Sequence, residues 1–254
     1  MIDKFTSRRG FIKTGALAGV SALTITEIVT SAFTEAKVSK ITLAERNTFL
    51  FQGDSITDAG RRKEDMNPNN PAALGSGYAM IAGSEILFKN AEKNLKVYNK
   101  GISGNKVYQL AERWDADCLN LKPDVLSILI GVNDYWHKHD GKYNGTISIY
   151  KNDYKALLEH TRKALPNVKL IIAEPFAVPD VKAVDKTWYP DFPEYQQAAR
   201  EMAQNFDAVF IPLQSVFDKA IKTAPGSYWT ADGVHPTLAG AQLMAHSWME
   251  ILKG

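Results

Sequence analysis

The chain has 254 residues, 45% of them hydrophobic and 23% charged, which suffices for one α/β domain with a full core. Its formal net charge is only +2, and no dense basic run occurs beyond the extreme N-terminus, so a nucleic-acid partner is not expected. The single cysteine, Cys118, excludes an internal disulfide framework and any multi-cysteine metal site; within its helix-like stretch it reads as a small buried hydrophobe.

Residues 1–36 read as an export address. Ser7-Arg8-Arg9-Gly10-Phe11-Ile12-Lys13 resembles a twin-arginine motif, and an apolar, small-residue stretch from Gly15 to Ile25 follows it. That stretch is short for a hydrocarbon core of ~30 Å, and Glu27 interrupts its continuation. Small residues at Ser31, Ala32 and Ala36 fit a cleavable signal peptide. The expected destination is the periplasm or the exterior, without a stable membrane anchor.

From about Ile41 the chain alternates short β-type runs with longer helical patterns. Thr48–Gln52, Leu95–Asn99, Val125–Ile130, Lys169–Glu174 and Ala208–Pro212 read as strands, several of them apolar throughout, as strands covered on both faces are. Helical patterns occupy Tyr78–Lys89, Val107–Leu119, Ser148–Ala164, Tyr195–Asn205, Gln214–Thr223 and Leu238–Leu252. No linker or repeat divides residues 41–254. The alternation predicts one domain built on a parallel sheet with helices on both faces, its ligand site beyond the carboxyl ends of the strands.

Four polar blocks fall at those ends. The first strand runs into Gly53-Asp54-Ser55-Ile56-Thr57, where a sharp turn exposes a serine hydroxyl and leaves backbone N–H groups unpaired. A turn serine that merely caps a helix gives the same string. The second strand ends in Asn99-Lys100-Gly101-Ile102-Ser103-Gly104-Asn105 and the third in Gly131-Val132-Asn133-Asp134. Asp232-Gly233-Val234-His235-Pro236 precedes the last helix, and by itself reads equally as a loop hydrogen bond. Asp54 and Asp134 read as hydrogen-bond partners of loop backbone. His160 and His246 fall within helical patterns and read as packing or surface histidines.

Taken together and in this order, the blocks resemble the SGNH (GDSL-type) hydrolase superfamily from Leu50 to Trp248. That resemblance implies a three-layer α/β/α fold around a five-stranded parallel, flavodoxin-like sheet. It also implies a nucleophile at Ser55, a base at His235 and an acid at Asp232, with oxyanion donors from Ser55, Gly104 and Asn133. The chemistry is coherent: an imidazole must take the proton of a serine before its oxygen attacks well, and donors must meet the oxyanion. No cofactor is required. His137-Lys138-His139-Asp140 reads as a polar loop without a further ligand, so no metal is expected.

Within the superfamily, Asp54–Arg61, Ala73–Tyr78, Asn99–Asn105 and Ser127–Trp136 are similar to bacterial acetylxylan esterases. The implied substrate is an acetylated polysaccharide or oligosaccharide. Tyr135, Trp136, Tyr228 and Trp229 flank the third and fourth blocks; they are placed either to pack or to wall a pocket and stack on a sugar. A lipid or thioester acyl hydrolase, an acyltransferase and a non-catalytic carbohydrate-binding protein stay open, as does homo-oligomerisation.

Overall fold

The computed structural model describes residues 23–34 and 40–253. Five strands form where the apolar runs place them: β1 (Thr48–Gly53), β2 (Lys96–Asn99), β3 (Val125–Leu129), β4 (Lys169–Ala173) and β5 (Val209–Ile211). All pair in parallel, in the order β2-β1-β3-β4-β5. In this flavodoxin-like order the connections change sides between β1 and β3, which opens a crevice beyond their carboxyl ends. β1 pairs Gly53 with Leu129, so the first and third polar blocks emerge side by side.

Helices cover both faces. The described ones are α1 (Ile25–Phe33), α2 (Ser55–Asp58), α3 (Pro71–Leu74), α4 (Tyr78–Lys89), α5 (Val107–Glu112) and α6 (Trp114–Asp117). They continue as α7 (Val132–His139), α8 (Ile147–Ala164), α9 (Phe192–Asn205), α10 (Leu213–Ala220), α11 (Gly226–Trp229) and α12 (Leu238–Met249). α4 packs on α12, and α1 on α10 and α12; on the other side α5, α8 and α9 form a second layer. β3 is buried along its whole length, which is why it reads as apolar except at Ser127, whose hydroxyl accepts from Trp248 Nε1.

Three helical expectations change. The single helix expected over Val107–Leu119 breaks at Arg113 (φ −114°, ψ 8°), whose guanidinium turns inward to Gln52, Lys100 O and Asn105. The last helix stops at Met249 because the chain beyond it pairs with Ile41: Ile41 N donates to Ile251 O at 2.7 Å and Lys253 N to Ile41 O at 3.0 Å. The expected polar loop at His137–Asp140 is instead the end of α7.

The Ser7–Lys13 motif and the cleavage region near Ala36 lie outside the described residues. Inside them, α1 begins at a capping box in which Thr24 and Glu27 bond reciprocally. Its Ile28, Val29 and Ala32 are buried in the core cluster. No helix among the described residues is long and apolar enough to cross a membrane.

Candidate active site

β1 delivers Ser55 at the first position of α2, a four-residue helix capped by Asp54, whose carboxylate accepts from Ile56 N at 3.0 Å. The turn needs glycine at position 53, because a Cβ there would collide with the Leu129 carbonyl and Thr57 Oγ1. At the opposite end of the chain, the connection from α11 to α12 brings His235 to the same point. Its Nε2 lies 2.8 Å from Ser55 Oγ, and its Nδ1 lies 2.7 Å from Asp232 Oδ2. The other oxygen, Asp232 Oδ1, accepts from Val234 N at 2.9 Å and His235 N at 2.8 Å. Burial raises the Asp232 pKa, but these hydrogen bonds outweigh it and hold the carboxyl below its ordinary value. Asp232 is therefore an anion that fixes the imidazole with Nδ1 as donor and Nε2 as acceptor.

Three N–H groups beyond the ends of β1, β2 and β3, those of Ser55, Gly104 and Asn133, are the expected oxyanion donors. The Ser55 and Gly104 amides donate to no acceptor among the described residues. The Asn133 amide gives one N–H to Asn105 O at 3.3 Å and retains a second. Gly104 adopts φ +81°, a backbone conformation that suits glycine.

The loop carrying Gly104 is tied down at several points. Ser103 donates both its N–H (2.9 Å) and its hydroxyl (2.8 Å) to Asp58 Oδ2, beside Lys63 at 3.2 Å. Burial raises the Asp58 pKa, yet the Ser103 and Lys63 hydrogen bonds bring it below the ordinary carboxylate value. Asn99 Nδ2 donates to Thr57 O at 2.6 Å and Leu74 O at 2.8 Å, and Arg113 Nε to Asn105 Oδ1 at 2.9 Å. Asp134 accepts from Val107 N at 3.2 Å and so joins α7 to α5. Asp54 and Asp134 thus bond backbone, as expected of them, but each leaves its second oxygen buried without a partner. Burial pushes both carboxyls up to about 7.

The aromatic expectations divide. Trp136 stands beside the site, its ring 6.2 Å from that of His235 and 5.6 Å from Trp188. Tyr135 is 1% exposed and packs on Trp188, Phe192 and Tyr195, so it offers no face to a substrate. The reason is helix phase: on α7, Asn133 and Trp136 are three apart and share a face, while Tyr135 points into the core. Trp229 is 5% exposed and donates Nε1 to Ala220 O at 3.0 Å, which props the final loop from behind. Tyr228 is exposed. His139 stacks on Tyr135, His160 meets Asp115 at 2.7 Å, and Cys118 is fully buried.

A cleft of about 440 Å³ opens at Ser55 and His235, between the starts of α4 and α12. Sequence reasoning missed this cleft and the Asp58 and Arg113 ties. Asp58 lies inside a quoted block; nothing marked Arg113.

Residues 51–243 match the GDSL-like lipase/acylhydrolase family. The chain belongs to that family. It is 32% identical, over 79% of its length and 91% of the relative's, to an acetylxylan esterase of Geobacillus stearothermophilus. A solved structure of that organism's acetylxylan esterase Axe2 superposes with a TM-score of 0.75 at 28% identity, covering 83% of this chain and 96% of the other. A Parabacteroides merdae protein described as a GDSL-like lipase gives a TM-score of 0.82 at 50% identity, covering 84% of this chain and 98% of its own. Solved catalytic mutants of Axe2 replace a histidine, a serine or an aspartate by alanine. Membership makes this chain a hydrolase of the esterase type with the SGNH fold.

Proposed function

We propose that the protein is a serine esterase that removes O-acetyl groups from carbohydrate. The observation that carries the mechanism is the continuous line from Ser55 Oγ through His235 to Asp232, at 2.8 and 2.7 Å. Ser55 Oγ attacks the acyl carbon while His235 Nε2 takes its proton. The amides of Ser55 and Gly104 and the Asn133 side chain meet the oxyanion. His235 then gives the proton to the departing alcohol. Water repeats the sequence on the acyl-enzyme, releasing acetate and restoring Ser55. Similarity to an acetylxylan esterase supports acetylated carbohydrate as the substrate, and the Ser7–Lys13 motif supports export by the twin-arginine route.

Ser55→Ala is expected to abolish acetate release from acetylated xylan, and labelling by a fluorophosphonate, with an unchanged circular dichroism spectrum. Turnover by the folded variant removes Ser55 from the mechanism. Turnover that rises with acyl length, with no acetate released from the glycan, replaces the carbohydrate substrate by a lipid.

A further inference from the structure

We propose that the cleft between the starts of α4 and α12 receives the alcohol part of the ester, and that the acyl part sits on the Trp136 side of His235. The inference rests on the serine esterase reading, though not on the alcohol being a sugar.

The tetrahedral carbon carries Ser55 Oγ, the oxyanion, the acyl group and the leaving oxygen. The oxyanion direction is taken by Ser55 N, Gly104 N and Asn133. The leaving oxygen must come within hydrogen-bond reach of His235 Nε2, because that nitrogen returns the proton. Only the acyl direction is then left to assign. The cleft has Ser55 and His235 at its base and is walled on one side by the residues that continue from His235: Pro236, Thr237 and Leu238. None of Gly104, Asn133 and Trp136 lines it. A group entering it therefore lies along the imidazole and away from the oxyanion donors, as the leaving alcohol must. Outside the cleft, Trp136 stands 6.2 Å from the His235 ring and is backed by Trp188 at 5.6 Å. A methyl group needs only such a packed face, whereas a bulky alcohol needs an open cleft.

The lining suits an alcohol with further hydroxyls. Ser76 gives its own hydroxyl proton to Ala59 O (2.9 Å), which leaves its oxygen able to accept, whereas the Thr237 oxygen, which donates to Tyr228 O (2.6 Å), already accepts from Gly240 N (3.3 Å). Leu238, 79% exposed at the lip, offers an aliphatic surface to the C–H face of a ring. A single exposed leucine is ordinary on a protein surface, and its weight here comes from its place at the mouth of the cleft.

The test uses two ester series on the wild type, Leu238→Ala and Ser76→Tyr. One series holds acetate constant and enlarges the alcohol from methyl to cyclohexyl to a monoacetylated xylobiose. The other holds methanol constant and lengthens the acyl group from acetate to butyrate. In Ser76→Tyr the kcat/KM ratio of the largest to the smallest alcohol is expected to fall about tenfold, and in Leu238→Ala about threefold. The acyl-length ratio should move less than about twofold in both. An unmoved alcohol ratio, or a shift in the acyl-length ratio instead, overturns the assignment. Leu238 is too exposed for its truncation to disturb folding, so that variant reads the cleft even if Ser76→Tyr is unstable. A wild type without ester turnover fails the esterase reading as well, whereas turnover with an unmoved alcohol ratio fails the cleft alone.

Discussion

The proposed acid–base half of the site and its proposed oxyanion half are built in opposite ways. Asp232 and His235 stand three residues apart on one loop, and the carboxylate bonds both the ring and the backbone of its partner. The oxyanion half gathers donors from the ends of β1, β2 and β3, and holds them through contacts far apart in sequence, such as Asp58 with Ser103 and Asp134 with Val107. A local arm is fixed by its own turn. A dispersed arm depends on ties between segments distant in sequence, so damage to it should be graded.

The largest effect is expected on the local arm. Asp232→Asn keeps the shape of the loop but presents an amide that no longer stabilises an imidazolium, and kcat should fall by about 10⁴. A loss below about tenfold in steady-state kinetics would mean that the loop backbone alone orients His235.

On the dispersed arm, Asn133→Ala removes one of three donors, and kcat is expected to drop by about 10² to 10³ with KM little changed. An undiminished kcat would make Asn133 only a link to Asn105. Asp58→Asn is milder. It weakens both bonds to Ser103 and loosens the Gly104 amide at second hand, so a kcat loss of about tenfold is expected. Asp58 is a positioning residue, and the split between kcat and KM separates that role from general support of the fold. Equal losses in kcat and in melting temperature across several substrates would favour mere support.

The smallest effect concerns pH and stability. Burial raises the Asp134 carboxyl from 3.8 to about 7, so the folded state keeps a proton that the unfolded chain releases near 3.8. The stabilisation linked to that proton is full below pH 3.8 and is lost as pH rises through about 7. Asp134→Asn removes the linkage. Unfolding in urea at a series of pH values should show a shallower decline for the variant between pH 4 and 7, by up to about 1.4 kcal/mol per pH unit. Parallel curves would place the proton elsewhere, on Asp54.

Much of this was legible because it is local. Apolar runs marked all five strands to within a residue or so, and Asp232-Gly233-Val234-His235-Pro236 carries the whole acid–base geometry within one turn. Gly53-Asp54-Ser55 likewise contains its own turn, cap and hydroxyl. What escaped depends on direction. Reading His137–Asp140 as a loop concealed the helical phase that turns Tyr135 inward and Trp136 toward His235. Arg113 looked like one more helical residue, though its guanidinium meets Gln52, Lys100 and Asn105 beneath the oxyanion loop.

The sequence by itself determined the class of fold and the order of strands and helices along the chain, and it singled out the residues proposed as nucleophile, base and acid. Periodicity and turn chemistry are short-range properties, so neighbouring residues suffice to express them. The tertiary structure alone decided which aromatic borders the site, which carboxylates clamp the Gly104 loop, and where a cleft opens beside His235. Those outcomes depend on the phase of a helix and on the meeting of distant segments, and the composition of no single stretch encodes either.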